Sequence, residues 1–215
     1  MSSQVRGGTR WKRFALVMVP SIAATAAVGV GLAQGALAAS FSVSGQDFKV
    51  SADSLVGEDL IQYGSLSKGK ELHTGKDVYH PVTISGFSKA TITNMCQSLV
   101  TPTPLGNITL QLRTGNKGEA AVAKNIYLDV AELDADAEFT DLDIGVAVND
   151  GSHTTKPKPG TVADGAMFSQ RAKTAKLTNV KQKAWATTAG TFTLPDLKLR
   201  LLGGDKPCYE DSEVK

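Results

Sequence analysis

One serine and two histidines are the residues of this chain that could form a hydrolase site. Ser88 lies in Gly86-Phe-Ser-Lys-Ala90, which resembles the G-x-S-x-G turn that presents a nucleophilic serine in esterases, with alanine in place of the last glycine. His80 and His153 could serve as its general base. That turn needs a helix after the serine, whereas Ala90-Thr-Ile-Thr93 alternates like a strand. We therefore expect no catalytic site, and keep Ser88 with His153 or His80 as the alternative.

Three alternating carboxylates could instead ligate a hard cation such as calcium. Asp134, Asp136 and Glu138 are separated by alanines, and alternation places them on one face of a strand. They do not match the calcium loop of helix-loop-helix proteins, because Phe139 stands where that loop has glycine. A solvated acidic face, partly neutralised by lysines on a neighbouring strand, explains the pattern without a metal. We expect no metal and no other cofactor.

Charge is unevenly distributed along the second half of the chain. Acidic residues dominate from residue 119 to 150, and basic residues dominate from 156 to 200. The net charge of the whole chain is +2. Four of its basic residues lie before residue 14, so the remainder has a net charge near −2. This balance gives no electrostatic signal for binding nucleic acid.

The first 38 residues have the pattern of a secretory signal peptide. Four basic residues between Arg6 and Arg13 precede an uncharged run from Phe14 to Ala39, and Ala36-Leu-Ala38 supplies small residues before a cleavage site. Cleavage after Ala38 leaves one domain, residues 39–215, outside the cytoplasmic membrane. Without cleavage the apolar run would act as a membrane anchor, because about 20 apolar residues span a bilayer. We expect a secreted protein or one on the extracytoplasmic face of the cell envelope.

Two cysteines are expected to form a disulfide after export. Cys96 and Cys208 are the only two in the chain, and an oxidising compartment favours their pairing. In the chain-entropy model, closing so long a loop stabilises the fold by about 4 to 5 kcal/mol. Two free buried thiols are the alternative. A structural zinc site is not expected, because no histidine lies near either cysteine in the sequence.

Apolar and polar residues alternate along most of residues 39–215, which predicts half-buried strands of antiparallel sheet. The clearest runs begin at Phe41, Phe48, Ile108, Ile126 and Leu197. Only residues 164–176 could hold a short helix, and the prolines of Lys156-Pro-Lys-Pro159 predict a loop. We therefore expect an all-β fold, either a sandwich or a barrel-like sheet.

An internal repeat indicates a tandem duplication. Ala90–Gln97 matches Ala175–Gln182 with identical Ala, Thr, Asn and Gln, and each copy precedes an alternating run that ends in Arg113 or Arg200. The predicted halves are residues 41–118 and 119–203, followed by a C-terminal tail that a Cys96–Cys208 bridge would hold against the first half. Chance likeness between strand-rich segments is the alternative. Units of about 80 residues exceed the 20 to 50 residue periods of solenoids.

Three segments carry a resemblance to a known family. Phe41–Asp53, the Thr-Asn-Met-Cys-Gln-Ser segment and Lys181–Gly190 are similar to an uncharacterised family of exported proteins from filamentous actinobacteria, over nearly the whole chain. The resemblance implies a secreted or Gram-positive envelope setting. Some members carry the label cholesterol esterase, but the family has no catalytic motif to transfer to this chain.

Two classes of function follow. The first is a non-enzymatic secreted or envelope protein whose sheet assembles with other copies, since a sheet edge can drive assembly, or encloses a hydrophobic ligand such as a lipid. Its partners would be lipids, envelope components or further copies, and an uncleaved N-terminal segment would contact the membrane. The alternative is an ester hydrolase that uses Ser88.

Overall fold

Seven antiparallel strands build the fold. The computed structural model describes residues 45–71, 74–151, 154–161 and 163–214, and the predicted signal peptide lies outside them. The strands are β1 Phe48–Lys70, β2 Asp77–Thr93, β3 Met95–Thr103, β4 Gly106–Thr114, β5 Ala121–Ala147, β6 Phe168–Thr193 and β7 Lys198–Gly203. One turn of 3₁₀ helix follows at Asp211–Glu213. The all-β prediction is confirmed. Within the described residues, no helix is both long and apolar enough to cross a membrane.

Four of the strands close into a ring. β1 pairs with β2 and β6, and β5 also pairs with β2 and β6. The sheet then continues from the first residues of β1 through β3 and β4 to β7. This arrangement confirms the expectation of a barrel-like sheet in part, because three further strands extend the sheet beyond the ring. The extension ends at β7, which forms one edge of the sheet.

A second long stretch with one unpaired side belongs to β5. Residues 121–130 of β5 lie between β2 and β6. Beyond them, Glu132–Ala147 pairs with β6 on one side, and no described strand pairs with the other side. The acidic half of β5 is therefore a second sheet edge.

The long strands bend at single residues in the left-handed region of backbone space. Five such residues lie in or beside strands and have φ between 49° and 54°: Asp59, Asn94, Asn125, Asp141 and Asn179. Asparagine and aspartate enter this region more readily than other residues with a side chain. The register between β5 and β6 shifts at several points, one of them between Asp134 and Asp136. Such bulges increase the twist and bend that a small closed ring requires.

Two clusters of apolar side chains pack on opposite faces of the ring strands. The larger contains Leu60, Phe87 and Ile126 among others, and the smaller contains Ile61 and Ile84. Leu60 and Ile61 are consecutive, so they point to opposite faces of β1. Each fully buried side chain of this size contributes about 1.5 to 3 kcal/mol. The described residues between β5 and β6, which are 148–151, 154–161 and 163–167 and are named the covering segment here, bring Val148 and Ala163 onto the smaller cluster.

The C-terminal tail, residues 204–214, crosses the strands on the outside of the sheet. Its backbone amides at Lys206 and Cys208 donate to Thr109 Oγ1 (3.0 Å) on β4 and Ser98 Oγ (2.9 Å) on β3. Further on, Asp211 pairs with Lys49 of β1 at 2.8 Å. The Cys96–Cys208 disulfide, with Cα atoms 5.8 Å apart, fixes the tail to β3. The predicted disulfide is therefore confirmed.

Residues 164–176, the segment that could hold a short helix, form none. β6 begins at Phe168, and residues 169–176 pair with β1 on one side and β5 on the other. The alanines and lysines of this segment favour helix weakly, by a few tenths of a kcal/mol each. Two flanking strands and the burial of Ala172 and Ala175 outweigh that preference.

The boundary of the predicted duplication, near residue 118, falls between β4 and β5. The matched asparagines Asn94 and Asn179 share a left-handed backbone. The two alternating runs that follow the matched segments become β4 and β7, which pair with each other. Nothing else tests the duplication, so it stays a prediction.

Removing the disulfide should destabilise the fold. The double substitution Cys96→Ser with Cys208→Ser opens a loop with a sequence separation of 112, so we expect a loss of about 4 kcal/mol in the free energy of unfolding. Chemical denaturation measures this. The matched control Ser98→Ala removes one hydrogen bond to the tail and should cost about 1 kcal/mol. An unchanged midpoint in the double variant would show that the disulfide does not stabilise the fold.

Alkaline pH should weaken the tail through Tyr209. Burial, followed by the charges of Asp211, Glu132 and Asp47, raises the pKa of Tyr209 from 10.0 to about 12. Because the folded-state pKa is the higher one, the stabilisation is complete below about pH 10 and is lost as the pH rises toward about 12. We expect the free energy of unfolding to fall more over this range in the wild type than in Tyr209→Phe. Equal losses would contradict the assignment.

Candidate functional site

Ser88 lies within strand β2 and not on an exposed turn. Its hydroxyl donates to the carbonyl oxygen of Glu58 on β1 at 3.0 Å, and β2 continues to Thr93 without a helix. Packing explains why residue 86 is a glycine, because a Cβ at this position would come within 2.8 Å of side-chain atoms of Ile61 and Tyr127. The segment that contains Ser88 is thus part of a β-strand, and its glycine leaves room for side chains of the neighbouring strands to pack.

The predicted catalytic partners are not brought to Ser88. His80 is on the same strand, eight residues away, which corresponds to about 26 Å at about 3.3 Å per residue. Its ring stacks on Trp185 with centroids 3.5 Å apart. His153 lies outside the described residues. The described residues therefore assemble no pair of Ser88 with a histidine.

Two of the three candidate metal ligands line a surface cleft beside the disulfide. The cleft has a volume of about 460 Å³, and Asp134 and Asp136 are among its lining residues, whereas Glu138 is not. Within the described part of the chain, no three His, Cys, Asp or Glu side chains lie close enough together to hold a metal ion. The structure thus gives the proposed calcium ligands no common site.

Hydrogen bonds inside this cleft involve Asn94 and Asn179, the two asparagines of the predicted repeat. Asn94 Nδ2 lies 3.2 Å from both carboxylate oxygens of Asp53, and Asn179 Nδ2 donates to Asp136 at 2.7 Å. These bonds fix the two bent backbone positions to the neighbouring strand. The lining includes the disulfide and two cations but no histidine. Its polar groups largely bond to one another, which is the pattern of a structural cleft.

A buried polar cluster holds the covering segment against the ring. Lys158 Nζ donates to Asp129 Oδ1 at 2.5 Å, and Ser67 donates to the other oxygen of Asp129. Arg171 donates to the carbonyl oxygens of Thr155 and Val148 at 2.8 and 2.7 Å. Burial lowers the pKa of Arg171, and the nearby charges of acidic side chains oppose that shift. Buried ions of this kind are retained only where partners satisfy them.

Three exposed leucines and one half-buried leucine form an apolar surface on β3, β4 and β7. Leu99 of β3 lies opposite Leu110 of β4, and Leu110 lies opposite Leu201 of β7. Residues directly opposite one another in antiparallel strands share a face. Leu199, two residues before Leu201, shares that face too, and the two are 61% and 67% exposed. We call these four residues the leucine face.

The edge at β7 and the free half of β5 carry opposite charge. On β7, Lys198 and Arg200 alternate with the leucines and so point to the opposite face. On the free half of β5, Glu138 lies opposite Lys176 and Phe139 opposite the core residue Ala175. A lysine of β6 also approaches this half of β5, with Lys173 Nζ 3.8 Å from Asp141. Each edge therefore has one apolar and one charged face.

Sequence reasoning identified the alternating residues of both edges but not their role. The acidic run and the basic run were visible in the charge pattern. Which strand has a free side depends on the pairing of residues distant in the chain, and no local pattern specifies that pairing. The feature of the sequence that indicated the role of the edges is the presence of two alternating runs with opposite charge.

Breaking the buried ion pair should destabilise the covering segment strongly. Lys158→Met leaves the Asp129 carboxylate buried without its cation, so we expect a loss of about 3 to 5 kcal/mol in the free energy of unfolding. The matched control is Lys156→Met, two residues away at an exposed position, and should change stability by less than about 0.5 kcal/mol. Thermal and chemical denaturation measure both variants. Equal effects would rule out the proposed role of the pair.

The sequence comparisons concern almost the entire described region. Residues 44–209 match the model of a family of unknown function, DUF6230. Neither the curated proteins nor the solved structures contain a match. The resemblance to an uncharacterised family is confirmed, and the match covers well over half of the chain. The chain therefore belongs to DUF6230, a family of unknown function.

Proposed function

We propose that this protein is an exported, non-enzymatic structural protein that associates with further copies of itself outside the cytoplasmic membrane. The leucine face carries this proposal. It lies on a three-stranded extension that ends at the unpaired strand β7. Contiguous apolar surface on a soluble protein marks an interaction site or an aggregation hazard. Covering it yields about 25 cal/mol for each Å² of apolar area removed from water.

Export is supported by two independent features. The basic and apolar pattern of the first 38 residues is that of a secretory signal. The Cys96–Cys208 disulfide is compatible with an extracytoplasmic location, because disulfides persist in oxidising compartments and are rare in the cytosol. Both features favour a secreted protein or one held at the outer face of the membrane.

The cavities of the ring favour assembly over a lipid carrier. Two apolar cavities lined by core residues such as Leu55, Ile92 and Leu60 have volumes of about 30 Å³ each. A ligand site usually has a volume of about 300 to 1,000 Å³. Neither cavity admits an acyl chain unless the core opens. An ester hydrolase gains no support either, because Ser88 and His80 are far apart on one strand.

Self-association should depend on the leucine face. We expect sedimentation velocity to show a concentration-dependent increase in mass for the exported protein. Leu199→Ser with Leu201→Ser should raise the apparent dissociation constant by at least about tenfold, because two exposed leucines lose their burial in the contact. The matched control Tyr79→Ser alters an exposed aromatic residue of β2 (56% exposed) and should leave association unchanged. A wild-type protein that stays monomeric at every concentration would overturn the proposal.

A further inference from the structure

We infer that the basic edge strand β7 of one copy pairs with the acidic edge of β5 in the next copy, so that the protein assembles head to tail. This inference rests on the proposed function and specifies its partner surface. The acidic edge is defined as Asp136–Thr140 of β5. Together the two edges would extend the sheet from one copy into the next.

The chemistry of β7 fits an acidic and apolar strand. Its charged residues, Lys198 and Arg200, lie on one face, and Leu199 and Leu201 lie on the other. All four side chains are exposed. One side of the strand pairs with β4 over Lys198–Gly203, and no described strand pairs with the other side. Its outer backbone groups can therefore accept a further strand.

The chemistry of the acidic edge is the counterpart of β7. Asp136 and Glu138 lie on one face, with Ala137 and Phe139 on the other. The apolar face continues the main core, since Ala137 lies opposite Leu177 and Phe139 opposite Ala175. Pairing β7 here would place leucines beside Ala137 and Phe139 while basic residues face acids.

The lengths of the two edges also match. A register shift between Asp134 and Asp136 precedes this stretch of β5, and the left-handed backbone of Asp141, with φ 50°, bends the strand after it, although the pairing with β6 keeps its register as far as Ile144. The five residues between them compare with the six residues of β7. An antiparallel register with Lys198 opposite Glu138 and Arg200 opposite Asp136 gives two ion pairs on one face. Opposite charges at directly facing positions stabilise a strand pair.

The charges also act against pairing between identical edges. Two copies of β7 would place Lys198 and Arg200 beside the same residues of the partner, and two copies of the acidic edge would place carboxylates together. Like charges directly opposite destabilise a strand pair. Charged residues on edge strands are a common protection against unwanted edge pairing. In this protein the charges favour the contact between a β7 edge and an acidic edge.

The contact between β7 and the acidic edge joins two different surfaces, so it is heterologous. Such a contact generates an open chain of copies unless its rotation closes a ring.

Charge reversal tests the pairing directly. One variant carries Lys198→Glu and Arg200→Glu, so that both of its edges are acidic. A second carries Asp136→Lys and Glu138→Lys, so that both are basic. A control carries Lys76→Glu and Lys124→Glu, which reverse two exposed lysines away from both edges. Circular dichroism checks that each exported protein folds, and sedimentation velocity measures association. A second acidic-edge variant, Glu138→Lys alone, leaves the bond from Asn179 to Asp136 in place.

We expect each reversed variant alone to associate at least about tenfold more weakly than the wild type, because two attractive pairs become repulsive. An equimolar mixture of the two should regain association, since every contact in an alternating chain then joins unlike charges. The control should behave like the wild type. Wild-type association that neither reversal weakens, or a mixture that does not recover, would overturn the inference while leaving self-association intact. A monomeric wild type would overturn the proposed function itself.

Discussion

The structure depends on closing a ring from four strands of unequal length. β5 has 27 residues and β6 has 26, whereas β2 has 17. Only the first part of β5 pairs with β2. The second half of β5 extends past the ring, and no described strand pairs with its other side. Asp59, Asn125 and Asn179 adopt left-handed backbone within ring strands, which adds the local bend that a small closed ring requires. The free edge of β5 is thus a consequence of the same closure that forms the core.

Burial and exposure are divided between the two ends of this sheet. Around the ring, core clusters, the covering segment and the tail cover both faces of the strands. The tail and its disulfide cover one face of β3 and β4. The other face of that extension carries the leucine face. The surface left uncovered is therefore apolar and lies next to a free strand, which are the two features that strand addition requires.

The sequence predicted the elements that depend on local pattern. Alternation identified β1, β4, β5 and β7, because half-buried strands impose a period of two. Residues 164–176 could have held a short helix by their composition, but they contain the start of β6 instead, since pairing with strands on both sides outweighed local propensity. Ring closure was not foreseeable, because it depends on contacts between Phe48–Tyr63 and residues 169–184, more than 100 positions away. Ser88 and the Asp134–Glu138 carboxylates could be identified as candidate site residues because each belongs to a local sequence motif. The free edges of the sheet could not, because they are defined by which strands pair.

The two edges connect the charge pattern of the chain with its architecture. Acidic residues collect on the strand that passes beyond the ring, and basic residues on the strand that ends the extension. Hydrogen exchange of backbone amides at low and high protein concentration tests this account most directly. The account predicts that protection increases with concentration at both Asp136–Thr140 and Lys198–Gly203, with little change elsewhere. Protection that does not change in either segment while the protein associates would contradict it.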